Sequence, residues 1–243
     1  MAVNIIDVNT VFGLWPRRPV DISIDSLLGL MKRHGVSRAC SVSARGIFYD
    51  ATMGNDETHS VSARHPEILP AATLNFAAYL GWEDEMRLRL DQGFRVFRFF
   101  PSVQEWSICG KAFRRFVDEI SDYPSTLLVV PAAEGMLNIA DILGGVPNPV
   151  IITSFRYTHL SEAIEAMLAH TNLYVETHQI NSPDFLHVLA DHVGLDRVIY
   201  GSNAPLSYMG SALLPILNSE ITEAQKQAVL GGNLEHLLEA NAQ

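Results

Sequence analysis

Short apolar runs recur along the chain, each followed by a segment with helical spacing, and this alternation constrains the fold more than any other feature. Runs such as 126–130 and 150–154 are apolar almost throughout, which is typical of parallel strands covered on both faces. Eight such runs in 243 residues predict a single α/β domain over residues 1–243, a (β/α)8 TIM barrel, whose usual length is about 250 residues. The predicted strands are 3–8, 38–43, 68–74, 94–100, 126–130, 150–154, 172–176 and 198–202.

The predicted helices lie between these runs, and some have recognisable ends. Asp21 or Ser23 can cap the first helix, which extends to about His34 and stops at Gly35. Pro183 suits the first position of a later helix. The predicted helices are 23–34, 50–64, 79–92, 110–121, 134–143, 160–170 and 183–193, with further segments from 211, 222 and 233.

Two other architectures are compatible with parts of this pattern. A doubly wound open sheet would also alternate strands and helices, but it would carry a glycine-rich loop after the first strand, and Gly13 alone does not make one. The length would allow two small domains. No linker rich in Pro, Gly or Ser interrupts the pattern, so the single barrel is favoured.

Composition excludes several classes of partner. The formal net charge is −10 and no basic patch is evident, which argues against nucleic acid and anionic membranes. No apolar run approaches the ~20 residues that span a bilayer, and no secretory signal is visible at the N-terminus. Cys40 and Cys109 lack metal-type spacing and are interpreted as structural thiols. A reduced, cytoplasmic location is expected.

The last predicted strand ends in a distinctive way. Gly201 allows a turn and Pro205 prevents the strand from continuing. Ser202 and Asn203 therefore lie beyond the C-terminal end of a buried strand, which is where parallel α/β proteins place their chemistry.

An acid–base pair is predicted after the seventh strand. Glu176 and His178 are two residues apart, so their side chains share strand parity and can face the same side. Histidine beside a carboxylate is a common general acid–base arrangement, and His178 is the best catalytic candidate. The alternative is a surface loop histidine.

Three arginines follow or end strands at the same predicted rim. Arg98 lies between Phe97 and Phe99, so alternation directs it away from their face, and it can enter the barrel mouth and bind a carboxylate. Arg45 and Arg156 come just after the second and sixth strands. Together they predict a small anionic ligand, although each alone could be an ordinary surface charge.

Several stretches resemble the amidohydrolase-related family of TIM barrels, which includes a metal-dependent aminocarboxymuconate-semialdehyde decarboxylase and several lactonases of small acids. Residues 6–13 occupy the place of the family's Asp-x-His-x-His-x-Gly, and the last stretch reads Gly-Ser-Asn-Ala-Pro where the family has Gly-Ser-Asp-Ala-Pro. The resembling stretches are 6–13, 65–73, 93–99, 195–205 and 231–238.

The resemblance implies a divalent metal bound by two first-strand histidines, histidines after the fifth and sixth strands, and an aspartate after the eighth. This chain has Asn9, Val11 and Asn203 at three of those positions, with Ser154 and a residue near Pro131 at the others. Valine cannot ligate a metal, and neutral asparagine is a weak ligand. The expectation is therefore that the chain lacks the family's usual site, zinc included, and has no cofactor.

The sequence predicts an amidohydrolase-related hydrolase, of which a lactonase is one form, that acts on a small carboxylated molecule. Glu176 and His178 would supply acid–base chemistry; Arg98, Arg156 or Arg45 would anchor the acid; Asn9, Asn203 and Ser154 would orient substrate or water. Two alternatives stay open: a decarboxylase of the same family, and an inactive homologue that binds a ligand or a partner chain. A homodimer is compatible with each of these. Convergence of His178, Glu176 and an arginine in one pocket would favour an enzyme, and a mouth plugged by apolar side chains would favour the inactive homologue.

Overall fold

The computed structural model describes residues 4–78, 81–180 and 182–239. The predictions that a strand begins at Val3 and a helix at Tyr79 lie outside these residues. The strands are β1 (Ile5–Leu14), β2 (Asp21–Ile22), β3 (Val36–Ser43), β4 (Ile68–Ala72), β5 (Val96–Arg98), β6 (Leu127–Pro131), β7 (Val150–Thr153), β8 (Leu173–Glu176) and β9 (Val198–Ile199).

Helices separate these strands, in most cases close to the predicted positions. They are α1 (Ile24–His34), α2 (Ala44–Phe48), α3 (Ala51–Arg64), α4 (Trp82–Asp91), α5 (Pro101–Gln104), α6 (Lys111–Ile120), α7 (Met136–Leu143), α8 (Leu160–Ala169), α9 (Phe185–His192), α10 (Met209–Leu217), α11 (Glu223–Gln227) and α12 (Asn233–Glu239). Short 3-10 turns precede α7 and α8, and a π-helical turn, Ala228–Gly232, joins α11 to α12. In the described parts of the chain no helix is long and apolar enough to cross a membrane.

The strands form one curled sheet that closes on itself. In the described residues its order is β2-β1-β3-β4-β5-β6-β7-β8-β9, and all neighbouring pairs are parallel except β1 with the short β2. The closing contacts join β1 to the chain after β9: Val8 N donates to Tyr200 O at 3.1 Å and Val11 N donates to Ala204 O at 3.0 Å. The (β/α)8 barrel predicted from the sequence is confirmed.

Alternate residues of the strands pack in two layers. Val96, Val129 and Ile151 belong to a cluster made mainly of strand residues, which fills the barrel. Their neighbours Phe97 and Leu128 belong to a larger cluster that includes helix residues, which fills the space between barrel and helices. Both layers exclude water, so a polar side chain inside the barrel needs partners from neighbouring strands.

The largest differences from the sequence predictions are at strand ends. The first strand continues to Leu14 because Asn9 and Thr10 are buried and bonded, with Thr10 Oγ1 donating to Cys40 O at 2.8 Å. Polar residues at 9 and 10 therefore do not end the strand. Pro101 opens α5, which the sequence did not predict.

Two other boundaries depend on caps. Asp184 precedes the first residue of α9, so Pro183 lies before the cap and not at the first helical position. Ser23 accepts a hydrogen bond from Ser26 N, and Gly35 ends α1 with φ of 70°, which confirms the predicted bounds of the first helix.

Candidate active site

Glu176, at the end of β8, is fully buried and bonded by donors from three other positions. Its Oε2 accepts from Asn9 Nδ2 and from Ser154 N, both at 3.2 Å. Its Oε1 accepts from His178 N at 2.6 Å. These bonds fix the carboxylate in place and offset part of the cost of its burial.

Gly201 makes room for this carboxylate. A Cβ atom at Gly201 would lie 2.4 Å from Glu176 Oε1 and 2.6 Å from Glu176 Cγ. The sequence identified Gly201 only as a turn residue, but its lack of a side chain is what allows the chain after β9 to pass this close to Glu176.

His178 lies beside Glu176, as predicted, although β8 ends at Glu176 and His178 lies in the turn that follows the strand. Nδ1 of His178 is 3.5 Å from Glu176 Oε2, and the histidine side chain is only 5% exposed. Nδ1 has no hydrogen-bond partner among the described residues. The contact is longer than a hydrogen bond, and catalytic contacts of this kind often shorten when substrate binds.

Arg156 and His178 line the same cavity, which has a volume of about 430 Å³. Its wall includes Arg156, Tyr157, His178 and Gln179. Arg156 Nε donates to Gln179 Oε1 at 2.8 Å, and Arg156 N donates to His159 Nδ1 at 3.2 Å. The guanidinium is exposed, so its other nitrogens are available to an anion in the cavity.

Asp7 is the second carboxylate buried inside the barrel. Its Oδ1 accepts from Asn9 N at 2.9 Å and from Ser202 N at 3.1 Å, and its Oδ2 accepts from Ser202 Oγ. Burial raises the pKa of Asp7 to about 7 although these bonds act in the opposite direction, and the negative charge of Glu176 adds to the rise. Burial likewise raises the pKa of the Cys40 thiol to about 12, which supports the interpretation of Cys40 as structural.

Ser202 lies beyond the end of β9, and its partner, which the sequence did not identify, is Asp7. Its hydroxyl donates to Asp7 and accepts from Ala204 N at 3.0 Å. It therefore couples β1 to the segment after β9, where the barrel closes.

Arg98 points into the barrel, which is one of the two orientations that the sequence allowed; the other was an ordinary surface arginine. The residue is 7% exposed, its Nη1 donates to Thr10 O at 2.8 Å, and its guanidinium lies 5.0 Å from the centre of the Phe100 ring. Burial lowers the pKa of Arg98 to about 10, and the negative charges of Glu176 and Asp7 partly offset this effect. The side chain is charged at neutral pH.

Other predicted site residues lie elsewhere. Arg45 is exposed on α2, 3.6 Å from Met53 Sδ, and lines a separate cavity of about 780 Å³ beside α1 and α3. Asn203 has φ of 54°, and its Nδ2 donates to Ser207 Oγ at 3.4 Å. Ser154, with φ of 56°, contacts Glu176 through its backbone N–H. The three arginines therefore do not share one rim: Arg98 is inside the barrel, and Arg45 and Arg156 line different cavities.

We expect Asp7→Asn to change how stability depends on pH. Because the pKa of Asp7 rises from 3.8 to about 7 on folding, the unfolded chain loses this proton first, and folding stability falls as pH rises through that window. Between pH 5 and pH 8 the wild type should lose roughly 3 kcal/mol from this group, and the Asp7→Asn variant should lose none. Urea unfolding at both pH values measures the difference. The exposed Asp91→Asn is the control, and parallel pH curves for wild type and Asp7→Asn would contradict the assignment.

No group of three or more His, Cys, Asp or Glu side chains that could hold a metal ion occurs among the described residues. Asn9 Oδ1, a neutral amide oxygen, and His178 Nδ1 have no hydrogen-bond partner in the described part of the chain, although both residues contact Glu176 through other atoms or at longer distance. The arrangement is suited to proton transfer between His178 and a bound molecule, with the Glu176 carboxylate fixed beside the imidazole.

Comparison with known families gives one match that covers nearly the whole chain. The sequence model of the amidohydrolase family matches residues 13–239. A search of curated proteins gives no match.

Several solved structures share the fold at low sequence identity. They include 5-carboxyvanillate decarboxylase from Sphingomonas paucimobilis (14% identity, TM-score 0.77, covering 97% of this chain and 99% of that chain). A dihydroxybenzoic acid decarboxylase from Polaromonas sp. JS666, solved with bound manganese and the inhibitor 2-nitroresorcinol, is also similar (14%, 0.76, 98% and 97%). A third is a putative 2-pyrone-4,6-dicarboxylic acid hydrolase from Pseudomonas putida (16%, 0.71, 98% and 98%).

Proposed function

We propose that this chain, which belongs to the amidohydrolase family, is an enzyme that hydrolyses a small carboxylated cyclic ester at the C-terminal mouth of the barrel. One observation carries the proposal: His178 lies 3.5 Å from the buried Glu176 and lines the same cavity as Arg156. The named activities of structural neighbours, a dicarboxylic acid hydrolase among them, support a carboxylated substrate.

Each residue has a distinct part in this reaction. Arg156 pairs with the substrate carboxylate through nitrogens that Gln179 does not occupy. With Nδ1 of His178 directed at Glu176, Nε2 is the nitrogen that accepts a proton from water. The water oxygen then bonds to the ester carbonyl carbon, the ring C–O bond breaks, and the proton passes from His178 to the leaving oxygen. Glu176 orients the imidazole and stabilises its charged form.

The manganese bound by the Polaromonas neighbour raises the question of whether a divalent ion fits this chain. Both oxygens of Glu176 and both oxygens of Asp7 already accept hydrogen bonds from protein donors. Val11 presents only a buried alkyl group, and Arg98 adds a positive charge to the same interior. A divalent ion prefers ionised oxygen or imidazole ligands in a closed set, and these residues do not supply one.

The proposal is tested by turnover of a panel of carboxylated five- and six-membered lactones and carboxylated phenols. Acid release from lactones is followed with a pH indicator, and carbon dioxide release is measured in parallel. We expect acid release from a carboxylated lactone and not from its methyl ester. Arg156→Gln should raise KM roughly 10–100-fold, as expected for loss of a charged hydrogen bond.

Other outcomes of the same panel distinguish the alternatives. Carbon dioxide release from a carboxylated phenol would identify a decarboxylase. Saturable binding without product would identify an inactive homologue. Either result would overturn the assignment as a hydrolase.

A further inference from the structure

We propose that Arg98 supplies a permanent positive charge inside the barrel, and that this charge prevents a divalent metal ion from binding at the centre of the barrel. This role concerns charge and not turnover, so it is independent of the proposed hydrolysis. Asn9 and Val11 stand where the family resemblance implies metal-ligating histidines, and Arg98 supplies a positive charge in the same interior.

Three ionisable groups reach the interior from three different strands. Asp7 on β1 and Glu176 on β8 are fully buried, and Arg98 on β5 is 7% exposed. Two buried carboxylates repel each other and lose the solvation of water, so a positive charge nearby favours their ionised forms. Among the described residues Arg98 forms no ion pair with either carboxylate, and its Nη1 bonds Thr10 O instead. The charges of Glu176 and Asp7 partly offset the fall in the pKa of Arg98 that burial causes.

The oxygens of both carboxylates already accept hydrogen bonds, which a metal ion would have to replace. Glu176 Oε2 accepts from Asn9 Nδ2 and Ser154 N, and Asp7 Oδ1 accepts from Asn9 N and Ser202 N. Each of these donors presents the positive end of an N–H dipole. A divalent ion would have to displace them and then lie near a guanidinium of the same sign.

Arg98 also holds the segment that carries these donors. Its Nη1 donates to Thr10 O at 2.8 Å, and the pairing of β1 with β3 shifts register between Asp7 and Thr10. The guanidinium is therefore fixed to the irregular part of β1, next to Asn9. A side chain held in this way is a permanent feature of the interior, unlike a mobile surface charge.

The experiment compares wild type, Arg98→Met and Arg98→Lys, each purified without chelators. Metal content is measured by mass spectrometry, and Zn²⁺ and Mn²⁺ binding by calorimetry. Wild type and Arg98→Lys keep a cation, so we expect no stoichiometric metal in either. Arg98→Met removes the charge but keeps much of the volume, and we expect at least a tenfold gain in Zn²⁺ affinity.

The control is Arg38→Met, which removes the partly exposed arginine paired with Glu235 and should leave metal binding unchanged. One tightly bound equivalent of metal in the wild type would overturn the inference. A folded Arg98→Met variant with no gain in Zn²⁺ affinity would also overturn it. If Arg98→Met does not fold, the neutral and polar Arg98→Gln takes its place: a gain in Zn²⁺ affinity supports the role of charge, and a folded Arg98→Gln without such a gain contradicts it. No readout depends on turnover, so a catalytically silent protein would still give an answer.

Discussion

Replacing Arg89 with methionine is expected to lower the free energy of unfolding by roughly 3–5 kcal/mol, the usual result of removing one partner from a buried ion pair. The Arg89 side chain is fully buried on α4. Its Nε donates to Glu85 Oε1 at 2.6 Å, and its Nη2 pairs with Asp56 Oδ1 at 2.7 Å. Without the guanidinium, the carboxylate of Glu85, a residue only 7% exposed, loses its cation in a low-dielectric interior.

The destabilisation should extend beyond α4, because Glu85 belongs to a hydrogen-bond network that joins two helices to the end of a strand. Asn55 Nδ2, on α3, donates to Glu85 Oε1 at 2.7 Å and to Thr73 O at 2.9 Å. Asn55 Oδ1 accepts from Thr73 N at 2.9 Å, just beyond β4. These bonds position the loop that follows β4.

Urea unfolding measures the effect, with Arg87→Met as the matched control. Arg87 is on the same helix but half exposed, and it pairs with Glu119 and Asp84 at the surface, so its loss should cost less than about 1 kcal/mol. Equal losses in the two variants would contradict the special role of Arg89. Adding Glu85→Leu to Arg89→Met should recover part of the stability, since it removes the unpaired charge.

The barrel itself could be predicted from the sequence because its signals are local. Runs such as 127–130 and 150–153 are buried on both faces, so the apolar pattern reports the fold directly. The extension of β1 through Asn9 and Thr10 could not be predicted in this way. Those residues are stable in a strand because partners from β3 and β8 bond their polar atoms, and those partners are distant in sequence.

The candidate site shows the same division. Glu176 and His178 are two positions apart, and the turn after β8, closed by the bond from His178 N to Glu176 Oε1, brings them together. The arginines behave differently from one another. Arg98 ends a strand and follows its alternation into the barrel, whereas Arg45 lies in a helix that the sequence did not predict. Gly201 depends on a long-range contact, the approach of Glu176, and a turn signal contains no information about it.

Replacing His178 with glutamine is expected to lower kcat roughly 10²–10⁴-fold, the usual contribution of a general acid–base group, with little change in KM. Glutamine keeps a polar side chain of similar length, but it cannot accept the proton that hydrolysis releases from water. Because Arg156 and not His178 is proposed to bind the carboxylate, substrate affinity should be retained. Steady-state kinetics on the carboxylated lactone identified by the panel separates the two effects, and His236→Gln, an exposed histidine on α12, is the control.

Glu176→Gln should impair the function of the His178 imidazole, so we expect it to lower kcat by a factor similar to that of His178→Gln. The amide that replaces the Glu176 carboxylate carries no charge to stabilise the protonated imidazole 3.5 Å away. Its NH2 group must also face one of the N–H donors that bond the carboxylate. Combining the two substitutions should cost little more than either alone, since residues that act as a unit are not additive. If the losses multiply, or if kcat in His178→Gln stays near that of wild type, His178 and Glu176 do not act as an acid–base pair, and the proton acceptor must be sought elsewhere along the cavity lined by Arg156.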